Sequence, residues 1–170
     1  MSVTIRPARA ADAAYLPDIE RSAGDAFRSV PDIAWVTDHE VPPGETNLPL
    51  IAAGTVWVAE DPDAGLVGFL RSDVTGDTLF IIELAVARPF QQKGIGRRLL
   101  DASVAHARER GLAAVTLTTF THVAWNAPFY ARYGFKELAR SALSDHLRRQ
   151  LHLEDVEIGL PNRCAMRMML

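Results

Sequence analysis

The chain reads Gln91-Gln92-Lys93-Gly94-Ile95-Gly96-Arg97-Arg98 at its most informative stretch. This stretch follows a predicted strand and precedes a predicted amphipathic helix. Glycines at such a junction let the backbone approach a ligand closely and expose several N–H groups together. The positive end of the following helix adds to the attraction for an anion. The stretch is therefore suited to binding a pyrophosphate.

The charges near the start of the predicted helix favour the same ligand. Arg97 and Arg98 occupy the first turn, and the first acidic residue after them is Asp101. Cations at this end oppose the helix dipole by a few tenths of a kcal/mol to about 1 kcal/mol each. A bound phosphate would remove the conflict. Alternatively, both arginines point into water.

Two better-known glycine motifs fit this stretch less well. A dinucleotide-binding fingerprint needs a third glycine at the position of Leu99. A Walker A loop needs Lys-Ser or Lys-Thr after the second glycine, where this chain has Arg97-Arg98.

The order of predicted elements outward from this stretch gives an α+β fold with one central mixed sheet. Alternation, turn signals and helical periodicity predict strands at Val3–Arg6, Val56–Glu60, Leu66–Arg71, Leu79–Val86, Val115–Phe120, Phe135–Ala139 and Arg163–Leu170, and helices at Asp12–Arg28, Arg97–Arg110, Ala127–Tyr133 and Leu143–Val156.

The N-terminal part of the chain has a less regular pattern. Asp12 is the predicted cap of the first helix, whose predicted buried residues are Ala14, Leu16, Ile19, Ala23 and Phe27. Prolines interrupt the segment from Val30 to Pro49, which carries Trp35 and His39. Such a segment is either a lid or binding loop, or a plain connector.

Composition excludes several classes of protein. The chain has 170 residues, 48% of them hydrophobic, and a formal net charge of −3. It is long enough for one domain with a real core, and it lacks the basic excess typical of a nucleic-acid binder. Its single cysteine, Cys164, allows neither an intramolecular disulfide nor a cysteine metal cluster. The most apolar stretch, Leu79–Ala87, is strand-sized and contains Glu83, so we expect no membrane span. Together with the single cysteine, this indicates a cytoplasmic protein.

Two blocks of the sequence resemble a known family. Gln91-x-x-Gly94-x-Gly96 resembles the acyl-CoA signature of the GNAT N-acetyltransferase superfamily. Pro128-Phe129-Tyr130-x-x-Tyr133-Gly134-Phe135 is similar to the family's second conserved block, and the likeness extends over most of the chain from about Val56 to Leu138. The resemblance implies one GNAT domain over residues 1–170, with a three-layer fold and splayed central strands. It also implies acetyl transfer from acetyl-CoA to a primary amine.

The resemblance assigns the cofactor site residue by residue. The strand before the glycine turn would hold the pantetheine arm and thioester, and the backbone of the turn would hold the pyrophosphate. The implied acetyl-CoA-binding residues are Leu84, Ala85, Val86, Gln91, Gln92, Lys93, Gly94, Ile95, Gly96, Arg97, Arg98 and Asn126. Asn126 departs from the family pattern, because it stands only four residues before Tyr130 while Val123 is near the usual place. It either contacts the cofactor or caps the helix. No metal is expected.

The same resemblance suggests a direct transfer in a ternary complex. Tyr130 would protonate the leaving thiolate, with Tyr133 a weaker candidate, and the Val86 N–H would stabilise the oxyanion. Glu83, among apolar neighbours, or His122 would deprotonate the amine, directly or through water.

The implied acceptor is a small-molecule or peptide amine, which would be bounded by the first helix, the Trp35 segment and the region of Trp125. No nucleic acid or membrane partner is expected, and the family often forms homodimers. Two alternatives remain: a non-catalytic acyl-CoA sensor, and a nucleotide-binding regulator that uses the same turn.

Overall fold

The structure is a computed structural model that describes residues 2–170. Seven strands form one mixed sheet in the order β1-β2-β3-β4-β5-β7-β6. The strands are β1 Thr4–Pro7, β2 Val56–Asp61, β3 Gly65–Thr75, β4 Thr78–Val86, β5 Ala114–Phe120, β6 Lys136–Glu137 and β7 Arg163–Met169. The α-helices are α1 Leu16–Gly24, α2 Leu48–Ala52, α3 Ile95–Glu109, α4 Ala127–Tyr133 and α5 Asp145–His152.

The chain divides into two compact units. The first comprises the residues up to Asp73 together with Ile82–His106, and the second comprises Val74–Ile81 with Ala107–Leu170. The prediction of a single domain over residues 1–170 stays a prediction.

The core of the first unit lies between α1 and strands β2 to β4. β1 pairs antiparallel with β2, and β2 pairs antiparallel with β3. The strands read as short β-branched and aromatic runs, which suit a pleated buried surface. The buried residues of this cluster are Leu16, Ile19, Val56, Val58, Phe69 and Ala85.

The second unit is built around β5 and β7. β4 pairs in parallel with β5 from Thr78 to Ile81, and β5 pairs antiparallel with β7 along its whole length. Its buried cluster joins Phe80 of β4, Leu147 of α5 and Ala165 of β7. The predicted α+β class with a mixed, mostly antiparallel sheet is confirmed; the splay of the central strands stays a prediction.

Some expected element boundaries are wrong. The segment expected to be one helix from Asp12 to Arg28 is a 3₁₀ turn at Ala10–Tyr15, then α1, then a 3₁₀ turn at Asp25–Ser29. Asp12 is not the N-cap of a helix. It lies within the first 3₁₀ turn, and its carboxylate accepts hydrogen bonds from Arg6 and from the Arg9 backbone N–H. Ala14, expected to be buried, is exposed.

Three other regions differ from expectation. The segment expected to be irregular from Val30 to Pro49 contains 3₁₀ turns at Ala34–Asp38 and Gly44–Asn47 and the start of α2. The expected helix at Leu143–Val156 begins at Asp145, where Ser144 caps it, and continues past His152 as a π-helical segment, Leu153–Ile158. β6 has only two residues. Among the described residues, none of the helices is both long and apolar enough to cross a bilayer.

Candidate active site

The connection from β4 to α3 has an unusual backbone. After β4 ends at Val86, a 3₁₀ turn spans Arg88–Phe90, and α3 begins at Ile95. Gln92 has φ of 61° and Gly94 has φ of 79°, both in the left-handed region. A non-glycine residue there costs about 1–3 kcal/mol and persists only where the surroundings demand it. Left-handed residues in a tight connection can turn successive N–H groups towards one side, which forms an anion-binding concavity.

The start of α3 supplies further donors. The Arg98 N–H donates to the Gly94 carbonyl at 3.1 Å, which is the first bond of the helix ladder. The N–H groups of the helix residues that precede Arg98 have no carbonyl partner inside the helix. Gln92, Lys93 and Gly94 are exposed, so a ligand can reach the connection. The fifteen-residue length of α3 gives its start a positive partial charge.

The side chain of Gln91 ties this connection to two neighbouring elements. Its Nε2 donates to the Val86 carbonyl at 3.0 Å and to the Ala23 carbonyl of α1 at 3.4 Å. Its Oε1 accepts from the Arg88 guanidinium at 3.0 Å. The Arg88 backbone N–H donates to Ser22 Oγ at 2.9 Å. Gln91, predicted to bind the cofactor, therefore uses its side chain to hold the connection in place.

Close packing fixes α3 against the strands. A Cβ added at Gly68 of β3 would lie 3.1 Å from the Ala85 carbonyl oxygen and 3.3 Å from Leu99 of α3. A Cβ added at Gly96 would make ordinary contacts with Leu84 and Val86, at 4.0 and 3.9 Å. The end of β4 and the first turn of α3 are thus held side by side, as a cofactor that contacts both would require.

Near the end of β4, one backbone N–H group points away from the neighbouring strand β3. The Ala87 N–H donates to the Val67 carbonyl at 2.8 Å. Because successive N–H groups of an extended chain point to opposite sides, the Val86 N–H faces away from β3. Ala85 is 2% exposed, whereas Glu83, Leu84 and Val86 are half-buried.

Three cations surround the connection. Lys93 Nζ lies 5.2 Å from the centre of the Phe90 ring, a cation–π distance that restrains this side chain. Arg97 and Arg98 are exposed on the first turn of α3, which has no acidic residue. All three side chains are exposed, so they are accessible to the phosphate groups of a ligand.

The remaining predicted site residues lie in the second unit. Tyr130 of α4 is half-buried, and its ring packs edge-on against Phe129 at 5.1 Å and Phe135 at 5.7 Å. The ring of Tyr133 lies 6.0 Å from that of Phe135. The exposed His122 packs edge-on against Phe120 at 6.0 Å.

Asn126 does not cap α4 with its side chain. Its Oδ1 accepts a hydrogen bond from Thr119 Oγ1 at 2.8 Å and a longer one from the Phe120 N–H at 3.5 Å. Asn126 occupies the N-cap position of α4, but its side-chain oxygen is bonded to the end of β5 and makes no capping hydrogen bond. A role of Asn126 towards the cofactor stays a prediction.

A family described as an acetyltransferase (GNAT) domain matches residues 52–137. This match covers half of the chain and includes both the Gln91–Arg98 stretch and Tyr130. The chain belongs to the GNAT acetyltransferase family.

Curated relatives of this GNAT protein match over a shorter stretch. The probable N-acetyltransferase camello of Xenopus laevis is 36% identical over 83 residues, which are 48% of this chain and 38% of the relative. The homologous protein of Xenopus tropicalis matches to the same extent. The match spans well under half the length of these relatives.

Solved structures share the GNAT fold over the whole chain. PaiA N-acetyltransferase of Thermoplasma acidophilum, solved with coenzyme A, has a TM-score of 0.71 at 18% identity, with both chains fully covered. Ard1 of Thermoplasma volcanium has a TM-score of 0.68 at 22% identity, covering 100% of this chain and 99% of that one. The ribosomal-protein-S18-alanine N-acetyltransferase of Escherichia coli has a TM-score of 0.66 at 19% identity, covering 99% and 94%. At these identities the likeness concerns the fold.

Sequence reasoning missed two features of the GNAT chain. The hydrogen bond from the Gln91 side chain to the Ala23 carbonyl could not be predicted from a local pattern, because the two residues are 68 positions apart. A buried polar cluster of Glu20, Asn47 and Arg71 was also missed, for the same reason. Among residues 2–170 no group of three or more histidine, cysteine or acidic side chains is placed to hold a metal ion.

Proposed function

We propose that this protein transfers an acetyl group from acetyl-CoA to a primary amine, by direct transfer in a ternary complex. The observation that carries the proposal is the connection before α3, with its left-handed Gln92 and Gly94 and the open amides at the helix start. Family membership and the coenzyme A bound to PaiA, a structural neighbour, support the same assignment.

The connection would bind the pyrophosphate of acetyl-CoA through backbone amides from Gln92 to Arg97. Lys93, Arg97 and Arg98 would supply positive charge to the phosphates. The strand residues Leu84, Ala85 and Val86 would bind the pantetheine arm through their backbone.

Chemistry at the thioester would depend on three groups. The Val86 N–H, facing away from β3, would donate to the thioester oxygen as negative charge develops on it, an effect worth about 3 kcal/mol of barrier for one well-placed donor. Tyr130 would protonate the thiolate that leaves. Positioning of the two substrates would supply much of the remaining acceleration.

A base must remove a proton from the acceptor ammonium before it attacks. We propose Glu83 of β4, a half-buried carboxylate, with His122 as the alternative. If Glu83 is the base, Glu83→Gln should remove the acid limb of the kcat/KM–pH profile, whereas His122→Gln should leave that limb in place. The reverse outcome would transfer the role to His122.

Two measurements on the intact chain test the proposal. Isothermal titration calorimetry should detect binding of both coenzyme A and acetyl-CoA, and thiol release should be seen with at least some members of a broad amine panel. Binding without turnover on any amine would instead favour an acyl-CoA sensor. No binding of either form of the coenzyme would remove the basis of the proposal.

A further inference from the structure

A polar cluster in the first unit has no place in the mechanism above. It consists of Glu20 on α1, Asn47 just before α2, and Arg71 on β3, and we refer to it as the Arg71 cluster. Arg71 Nη1 donates to Glu20 Oε2 at 3.4 Å and to Asn47 Oδ1 at 3.2 Å. Only 12% of the Arg71 side chain and 18% of the Glu20 side chain are exposed. Two opposite charges are therefore largely withdrawn from water, which costs free energy.

The cluster holds the Arg71 guanidinium in one orientation. Asn47 is 2% exposed, and its Nδ2 donates to the Gly44 carbonyl at 3.1 Å. This bond fixes which way the amide points, so its Oδ1 faces Arg71. The ring of Phe69 lies 5.9 Å from the guanidinium carbon. The guanidinium is thus anchored through one nitrogen, Nη1.

The opposite edge of the same guanidinium is unused. Within residues 2–170, neither Nε nor Nη2 of Arg71 has a hydrogen-bond partner. They are also not sealed in the interior, because neither belongs to the buried side-chain nitrogens and oxygens of residues 2–170 that lack a hydrogen bond. Nε and Nη2 lie side by side in a guanidinium, and this edge matches the two oxygens of a carboxylate.

Comparison with two other arginines shows that this arrangement is unusual for the molecule. Arg6 and Arg163 are similarly buried, with 17% and 13% of their side chains exposed. Arg6 uses Nε towards Glu60 and both Nη atoms towards Asp12. Arg163 uses Nε towards Glu154 at 2.9 Å and Nη2 towards Thr118. These two are structural ion pairs with their Nε and Nη2 donors occupied, whereas Arg71 has a long contact and a vacant edge.

Glu20 has spare capacity beside that edge. Its Oε2 accepts the long bond from Arg71, and its Oε1 has no partner among the described residues. Burial raises the pKa of Glu20, although Arg71 and Arg21 act in the opposite direction. The carboxylate is therefore not fully compensated by the charges around it, and an additional N–H donor would stabilise it.

We propose that Arg71 binds a carboxylate of the acceptor through Nε and Nη2, so that the acceptor is an amine that also carries a carboxylate, such as an amino acid. Glu20 accepts a hydrogen bond from an N–H group of the same molecule. The cluster of one cation and one carboxylate is then complementary in charge to a zwitterion. This inference rests on the proposed acetyl transfer and specifies its substrate class.

The first test compares matched acceptors on the unmodified protein. L-Methionine and L-methioninamide form one pair, and L-phenylalanine and L-phenylalaninamide form another; each amide keeps the side chain and removes the carboxylate charge. We expect kcat/KM to favour the acid by about 10- to 100-fold, the range for a charge-assisted bidentate contact. Equal rates, or faster acetylation of the amides, would overturn the inference while leaving acetyl transfer intact.

Variants then connect the preference to Arg71. Arg71→Met should abolish the preference for the acid, and Arg148→Met, at an exposed arginine paired with Asp145, should keep it. Because Arg71→Met leaves Glu20 buried without its partner and could unfold the chain, the double variant Glu20→Gln with Arg71→Met provides a neutral replacement. Retention of the acid preference in either Arg71 variant would contradict the assignment.

A binding measurement separates this inference from the proposed activity. Calorimetric titration of each amino acid and its amide, with and without coenzyme A present, should show tighter binding of the acid that depends on Arg71. This result would support the carboxylate site even if no thiol were released. Absence of such binding, or displacement by inorganic phosphate at lower concentration than by the amino acids, would overturn it.

Discussion

Gly94, just before α3, and Gly96, in the first turn of α3, differ in backbone conformation. Gly94 has φ of 79°, and a Cβ added there would meet no atom within 4 Å. The cost of Gly94→Ala therefore comes from the left-handed backbone and amounts to about 1–2 kcal/mol. We expect the connection to shift and coenzyme A affinity to fall roughly tenfold, as measured by calorimetry.

Gly96→Ala is the matched control for that change. Its Cβ would lie at ordinary contact distance from Leu84 and Val86, and its backbone is not left-handed. Coenzyme A affinity should be nearly unchanged, with thermal stability kept or slightly raised because alanine favours a helix. Equal loss in both variants would show that side-chain bulk, and not backbone conformation, limits binding.

Tyr130 offers a second change confined to one atom. Tyr130→Phe keeps the ring contacts with Phe129 and Phe135 and removes only the hydroxyl. If the hydroxyl protonates the thiolate, kcat should fall by roughly 100-fold or more while coenzyme A affinity stays close to normal.

Two phenylalanine variants calibrate this result. Tyr15→Phe alters an exposed tyrosine, 62% accessible, and should leave kcat unchanged. Tyr133→Phe tests the rival phenol on the same helix. A normal kcat in Tyr130→Phe, with a low kcat in Tyr133→Phe, would transfer the acid role to Tyr133.

Among the elements, the connection from β1 to α1 depends on one acidic side chain. Asp12, 7% exposed, accepts from Arg6 Nη1 at 2.7 Å and Nη2 at 3.0 Å and from the Arg9 N–H at 2.7 Å. The hydrogen bonds from Arg6 hold the pKa of Asp12 below its ordinary value of 3.8. A carboxyl whose pKa is lower in the folded state stabilises the fold above its unfolded pKa, and this contribution is lost as pH falls through the folded pKa.

Asp12→Asn should therefore lower the free energy of unfolding at pH 7 and make it less dependent on pH below about 4. Urea unfolding between pH 2 and pH 7 measures both effects. Asp18→Asn is the control, because Asp18 forms a surface pair with Arg21 and its side chain is 85% exposed. A parallel acid limb in the Asp12 variant and the unmodified chain would show that this carboxyl does not contribute.

Elements with strong periodicity could be predicted from sequence, and those that depend on proline or on distant partners could not. The helical periodicity of α3 is strong: Leu99, Leu100, Ser103, Val104 and Ala107 share one face, and all five are buried. By contrast, the prolines between Val30 and Pro49 suggested irregular chain, but Pro49 lies in the first turn of α2, where its missing N–H is not needed. Asp12 was misread as a cap because its true partner, Arg6, is brought to it by the fold.

At the scale of the whole molecule, local sequence signals could predict the connection before α3 but not the long-range contacts around it. The Gln91–Arg98 stretch is contiguous, so its glycines and its position between strand and helix could be read directly. Arg71 meets Glu20 across 51 positions and Asn47 across 24, and Gln91 meets Ala23 across 68. No local pattern marks such pairs, because each residue type is common and only the tertiary fold brings them together.

The single cysteine gives a readout of how the chain opens. Cys164 lies in β7 opposite Thr119 of β5 and is 5% exposed. Burial, with a smaller contribution from Glu137, raises the pKa of its thiol from 9.0 to about 11. Because the thiolate is the reactive form, this shift alone lowers its population near pH 8 by about 100-fold.

Iodoacetamide should therefore modify the folded protein at pH 8 more than 100-fold more slowly than the chain in urea. The pKa shift alone accounts for about 100-fold, and the steric protection of the buried sulfur adds to it. Mass spectrometry follows a single adduct, since the sequence contains one cysteine. At low urea, the slow rate reports openings that separate β7 from β5, and ligands that bind only the closed state should slow it further. Acetyl-CoA should have this effect if its binding stabilises the chain as far as β7. Rapid labelling without denaturant would mean that β7 leaves the sheet in the native state, which its buried residues Cys164, Ala165 and Met166 argue against.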